Sequence, residues 1–199
     1  MNTQITKQKL LVMKTIIKSL STLMISAVLF SSSSFAQTKS VMVGGAAMYP
    51  TKNIVENAVN SKDHTTLVAA VKAAGLVETL QSVGPFTVFA PTNAAFDKLP
   101  QGAVSSLLKP ENKAALTSVL TYHVVAGAIS SASLKSMIKK NGGSYTAKTV
   151  QGGELKFTMK GKNIIVTDDK GGMSQVTIAD VNQSNGVIHV VNTVLMPKS

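Results

Sequence analysis

Three histidines, His64, His123 and His189, are the side chains best suited to acid–base or metal chemistry in this 199-residue chain. Either task needs such groups to converge with one another or with acids. Their sequence settings point elsewhere. His123 falls on an apolar helical stripe, seven residues after Leu116 and near a helix end, the setting of a core histidine or of one facing the helix dipole. His189 lies in an apolar run and reads as a core histidine hydrogen-bonded to the turn near Asn93. His64 reads as a surface residue in a first helical turn. Asp168-Asp169 with Gly171-Gly172 offers acids for calcium but lacks alternating oxygen ligands, so a hairpin turn is expected there. Cysteine is absent, which excludes disulfides, thiolate catalysis and Cys-based metal sites. The chain contains no G-x-S-x-G elbow, phosphate loop or dinucleotide fingerprint. No catalytic, cofactor or metal site is expected, and no enzyme.

Hydrophobic residues make up 44% and charged residues 15%, enough apolar material for a packed core. Tryptophan is absent and aromatics are 5%, so Val, Leu, Ile, Ala and Met must build that core. The formal net charge is +11 and every basic residue is lysine. The guanidinium fork that reads guanine edges is missing, so nucleic acid is not an expected partner.

The first segment reads as an address. Lys7, Lys9, Lys14 and Lys18 precede the apolar stretch Leu20 to Phe30, and Ser34-Phe35-Ala36 puts small residues three and one positions before Gln37. That is the order of a secretory signal peptide, 1–36, cleaved after Ala36. Met13 is a second candidate start, which would make 1–12 an upstream extension. The apolar stretch is about half of the roughly 20 residues a spanning helix needs, so no membrane span is expected after cleavage. Without Cys there is no lipoprotein anchor. The expected location is the periplasm or the medium. The remaining chain, 37–199, carries 16 lysines against 9 acids, a net charge of +7. Weak attraction to anionic polysaccharide or lipid head groups follows from that balance.

Residues 37–50 read as a linker. Asn53 and Glu56 stand in capping-box spacing ahead of Ile54, Val55, Ala58 and Val59. Leu67, Val68, Val71 and Ala74 share a second helical face that Gly75 ends. Phe86–Ala90 is strand-like; Thr92 can cap the helix that follows, and Glu111–Thr121 is a further helix. From Gly142 on, glycine pairs separate short β-type runs: 144–150, 154–159, 163–167, 175–181 and 187–195. Asn185-Gly186 marks a tight turn before the last of them. The class is α+β with a mostly β second half.

Three segments now stand together: Thr87-Val88-Phe89-Ala90-Pro91-Thr92-Asn93-Ala94-Ala95-Phe96, Tyr122-His123-Val124-Val125, and Asp180-Val181 with Ser184-Asn185-Gly186-Val187-Ile188-His189-Val190-Val191-Asn192. In this order they closely resemble the fasciclin domain family. The first and third resemble its signature blocks, with Thr87, Phe89, Pro91, Thr92, Asn93, Phe96, Asn185, Gly186 and His189 as fold-signature positions. The second resembles its tyrosine–histidine motif. The resemblance covers residues 51–198 and implies a two-sheet β-wedge with several packed helices. It also implies a secreted or surface-attached protein, related to beta-Ig-H3/fasciclin adhesion domains and close in size to single-domain bacterial members. Tyr122, His123, Asp180 and Val181 match positions proposed for adhesion in animal members, with Val181 in place of Ile. Asn192 departs from the family's usual Asp. Read from the residues alone, Tyr122 and His123 are a helix end anchoring the core.

The function expected on these grounds is an extracytoplasmic binding or adhesion module acting on a cell-surface or extracellular protein or polysaccharide. The competing expectation is a periplasmic carrier of a small apolar or lipid-like ligand, housed between the sheets.

Overall fold

A computed structural model describes residues 40–198. The expected signal peptide and its cleavage site lie outside the described residues. Among those described, no helix is long and apolar enough to cross a membrane.

The chain opens with a hairpin, β1 (Val41–Val43) and β2 (Ala46–Met48). This corrects the linker expected at 37–50: Val43 and Met48 are buried in the core. The Gly44-Gly45 turn is left-handed, and a Cβ at Gly44 would meet the Ser61 side chain and the Asp63 backbone. Helix α1 (Ile54–Ala58) starts with the capping box expected at Asn53 and Glu56. Helix α2 (Thr65–Ala74) ends at Gly75 in the left-handed conformation, also as expected. A short α3 (Val77–Gln81) leads to β3 (Phe86–Pro91), followed by α4 (Asn93–Phe96), α5 (Ala103–Leu107) and α6 (Lys113–Tyr122). Then come β4 (Val124–Ala126), α7 (Ser131–Lys140) and five strands. These are β5 (Ser144–Lys148), β6 (Glu154–Lys160), β7 (Asn163–Thr167), β8 (Met173–Gln183) and β9 (Gly186–Val191).

The large sheet has the order β4-β3-β9-β8-β7-β6-β5. β3 and β9 run parallel and the other pairs are antiparallel. β8 divides the sheet. Its first residues, Met173–Gln175, pair with β7, whereas Val176–Gln183 pair with β9 across two irregularities. Bulges bend a strand and sharpen its twist. β3 and β6 are four strand spacings apart, about 19 Å in a flat sheet. Yet Phe89 on β3 and Phe157 on β6 have ring centroids 5.2 Å apart. The sheet therefore folds on itself along β8, giving two leaves: the wedge expected from the resemblance.

Alternation along β3 separates two cores. Val88 and Ala90 face α2 and α6 in one cluster, while Phe89 faces Phe157, Leu155 and Val166 between the leaves. Helix α7 supplies Leu134 and Ile138 to the second cluster.

Candidate functional site

Each histidine is buried and separately engaged. His123 follows α6, and its Nδ1 lies 2.8 Å from the Val119 carbonyl, while Nε2 receives the Leu195 N–H at 2.9 Å. A carbonyl only accepts, so Nδ1 carries the proton and the neutral ring is satisfied on both sides. His189 is arranged the other way: Nε2 donates to the Ile129 carbonyl at 2.9 Å and Nδ1 accepts from the Asp180 N–H. It also stacks on Phe89. The expected bond to the turn near Asn93 is thus corrected to Ile129 and Asp180. His64, expected on the surface, is buried because the turn after Ser61 folds it inward, where Nδ1 meets the Ser61 hydroxyl at 2.9 Å.

Burial lowers the pKa of all three rings, that of His123 to about 4 from 6.5. The unfolded chain, titrating near 6.5, then binds more protons than the folded one between those values. Stability from the His123 ring is complete above pH 6.5 and falls as the pH drops toward 4, by up to about 1.4 kcal/mol per pH unit, and the buried His64 and His189 act in the same direction. Urea unfolding at pH 7 and pH 4.5 checks the fall. NMR titration should show His123 unprotonated down to about pH 4; a midpoint near 6.5 would refute the assignment.

The positions matched to adhesion contacts lie inside. Tyr122 has no exposed surface, and its hydroxyl donates to the Glu154 carbonyl at 2.6 Å while accepting from the Asp169 N–H at 2.8 Å. Burial lifts its pKa above the ordinary phenol range. Val181 is 1% exposed and packs in the helix-side core. Asp180 is half-buried at φ 59°, and its carboxylate accepts from the Ser131 N–H at 2.7 Å and from the Ser131 hydroxyl. It satisfies the first turn of α7 with the favourable sign of charge. Packing and hydrogen bonding within the domain engage Tyr122, His123 and Val181.

The other signature residues do related work. The buried Thr87 hydroxyl donates to the Gly127 carbonyl at 2.6 Å and accepts from the Ile129 N–H. Thr92 precedes α4 but makes no side-chain cap. Asn93 instead caps from a distance, accepting from the Thr66 N–H at 3.0 Å and donating to the Lys62 carbonyl. Asn185 accepts from the Ile54 N–H and donates to the Leu80 and Ser82 carbonyls, joining α1 to the end of α3. Gly186 lies so close to the Phe86 backbone that a Cβ would overlap it. Phe89, Pro91 and Phe96 are buried.

The acidic turn between β7 and β8 is structural as well. Asp168 accepts from the Lys170, Gly172 and Met196 N–H groups at 3.0, 2.7 and 2.9 Å. Its tie to Met196 was not legible in the sequence. Among the described residues, no group of three or more His, Cys, Asp or Glu could hold a metal ion.

The fasciclin domain family model matches residues 62–197. The chain belongs to the fasciclin family. The protein sll1483 of Synechocystis is 47% identical over 161 residues, 80% of this chain and 81% of that one. The cell surface glycolipoprotein MPB83 of Mycobacterium bovis is 34% identical over 160 residues, 78% of this chain and 64% of that one. Transforming growth factor-beta-induced protein ig-h3 of Sus scrofa is 40% identical over 131 residues, which is 66% of this chain but 17% of that protein. In this fasciclin domain the signature blocks form the interior and the helix clamps.

Two further features bear on binding. The space between the leaves, where the carrier expectation put a ligand, is occupied by Tyr145, Phe157, Phe89 and His189 in successive ring contacts. A cavity of about 90 Å³ lies instead on the helix side of β3 and β9. The second feature is the outer face of β5–β7, opposite Phe157. It presents Lys148, Lys156 and Lys160 with Glu154, Thr146, Thr158 and Thr167.

Proposed function

We propose that this fasciclin domain is a non-catalytic, extracytoplasmic binding module that engages an anionic cell-surface or matrix polysaccharide through the outer face of β5–β7. The distribution of charge carries this reading. Residues 131–172 hold eight lysines against three acids, whereas residues 40–130 hold six against five. On the outer face Lys156 and Lys160 stand about 13 Å apart along β6, and Lys148 lies on neighbouring β5, beside threonine hydroxyls. Among the described residues the one ion pair joins Lys109 to Glu111; on the outer face Glu154 stands opposite Lys148, whereas Lys156 stands between Thr146 and Thr167 with no acid across from it. A polyanion gains from such an array without needing a pocket. The cell-surface name of one relative supports the extracytoplasmic setting, and the family resemblance supports adhesion as the outcome.

Titration with heparin and alginate tests the reading. Binding should weaken steeply as salt rises. The combined Lys148→Gln, Lys156→Gln and Lys160→Gln variant should lose at least about tenfold in affinity. A control replacing Lys52, Lys98 and Lys109 should change little. Equal losses in the two variants, or no binding at low salt, would overturn the assignment.

A further inference from the structure

Asparagine followed by glycine occurs twice in the chain, at Asn141-Gly142 and Asn185-Gly186. This pair is a reactive setting for an asparagine side chain, because glycine has no Cβ to shield its backbone nitrogen or to restrict rotation of the peptide. That nitrogen can attack the side-chain carbonyl carbon and close a five-membered ring. Local sequence gives the two sites the same chemistry, and the fold treats them in opposite ways.

Asn185 is locked. Its side-chain oxygen accepts from the Ile54 N–H at 3.0 Å, and its nitrogen donates to the Leu80 and Ser82 carbonyls at 2.8 and 3.0 Å. Its own backbone carbonyl accepts from the Phe86 N–H at 3.0 Å. Gly186 pairs with Gln183 in the β8–β9 register and packs against the Phe86 backbone, where even a Cβ would overlap. The ring cannot close there without breaking these contacts. Asn141 is open. Asn141, Gly142 and Gly143 are all exposed at the end of α7. A Cβ built on either glycine would meet nothing within 4 Å, so the peptide has room to turn. The Gly143 N–H donates to the Ile138 carbonyl at 2.9 Å, but among the described residues the Gly142 N–H, the attacking group, has no backbone partner. A single side-chain bond holds Asn141, from its nitrogen to the Met137 carbonyl at 2.7 Å.

We propose that Asn141 is a self-modification site: with water as the co-reactant, the folded protein converts it to aspartate and isoaspartate, while Asn185 stays intact. The Gly142 nitrogen forms a bond to Asn141 Cγ, and the Cγ–Nδ2 bond breaks. The Gly142 amide proton passes through solvent to the departing nitrogen, which leaves as ammonia. Water then adds to one of the two carbonyl carbons of the succinimide, and the ring C–N bond at that carbon breaks. Opening at Cγ gives aspartate; opening at the backbone carbonyl gives isoaspartate. The product alters the end of α7. A carboxylate replaces the amide that donated to Met137, and it puts negative charge at the C-terminus of the helix, the unfavourable end of its dipole. Residues 131–172 gain a fourth acid against their eight lysines. The assignment does not depend on whether the lysine face binds a polyanion.

Peptide mapping by mass spectrometry tests this on the purified full chain, incubated at mildly alkaline pH both folded and in urea. In urea the two sites should deamidate at similar rates. In the folded protein Asn141 should keep most of its rate while Asn185 slows about hundredfold, because three side-chain hydrogen bonds, each worth about a factor of five, must open first. Comparable rates at the two sites in the folded protein, or Asn141 slowed as strongly as Asn185, would overturn the proposal. Asn141→Asp reproduces one product directly. It should speed amide hydrogen exchange in the last turn of α7 and leave β9 unchanged; unchanged exchange in α7 would refute the effect assigned to the helix end.

Discussion

Phe157→Ala is expected to lower folding stability by about 4 kcal/mol. Phe157 is fully buried on β6 and contacts two rings, Phe89 at 5.2 Å and Tyr145 at 6.1 Å. Phe89 comes from the far leaf and Tyr145 from the adjacent strand, so this ring joins the two halves of the folded sheet. Truncation removes the transfer energy of a phenyl group and leaves a void that two diverging leaves cannot close without losing register. Denaturant unfolding measures the loss. Ile165→Ala, on the half-buried outer face of β7, should cost less than about 1 kcal/mol. Equal losses at the two positions would mean that the wedge is not held from its interior.

Asp168→Ala is expected to cost about 3 kcal/mol, an unusual loss for an acid in a surface turn. The carboxylate collects three backbone N–H groups: Lys170 and Gly172 on Oδ1, and Met196 on Oδ2. The Met196 bond ties the tail after β9 to the β7–β8 turn, beside the Leu195 N–H that His123 accepts. Asp168→Asn is not a mild change here. Both oxygens accept, so whichever side receives the amide nitrogen faces a donor with a donor. That variant should lose roughly half as much as the alanine, measured as the shift in urea midpoint. A neutral Asp168→Ala would leave the turn without the clamping role assigned to it.

What was legible in the sequence follows from distance along the chain. The Asn53–Glu56 capping box, the Gly75 stop and the runs forming β5 to β9 are local patterns, and the structure contains them. The β1–β2 hairpin escaped because its strands are three residues each and rich in alanine and valine beside paired glycines, which read as linker. Strand β4 and helix α7 lie where the sequence pattern assigned no element. Helix α7 anchors through only Leu134 and Ile138, one turn apart, too sparse a pattern to stand out. His64 looked exposed because its burial depends on Ser61 and the hairpin, which local periodicity does not report. The signature residues sit in the interior and the helix clamps. Their partners were hidden, because Asn185 reaches Ile54 across 131 positions and Tyr122 reaches Asp169 across 47. The lysine face was visible only as total charge. Strand register was needed to gather Lys148, Lys156 and Lys160 on one side.

The signature positions hold the fold, and the proposed binding surface is the lysine face. The most direct measurement takes heparin affinity and thermal midpoint together on two variants, the Lys148→Gln/Lys156→Gln/Lys160→Gln protein and Tyr122→Phe. The lysine variant should lose at least about tenfold in affinity at an unchanged midpoint. Tyr122→Phe, deprived of its bonds to Glu154 and Asp169, should melt lower by several degrees yet bind heparin as before while folded. Loss of binding in folded Tyr122→Phe, with the lysine variant binding normally, would overturn this division of roles.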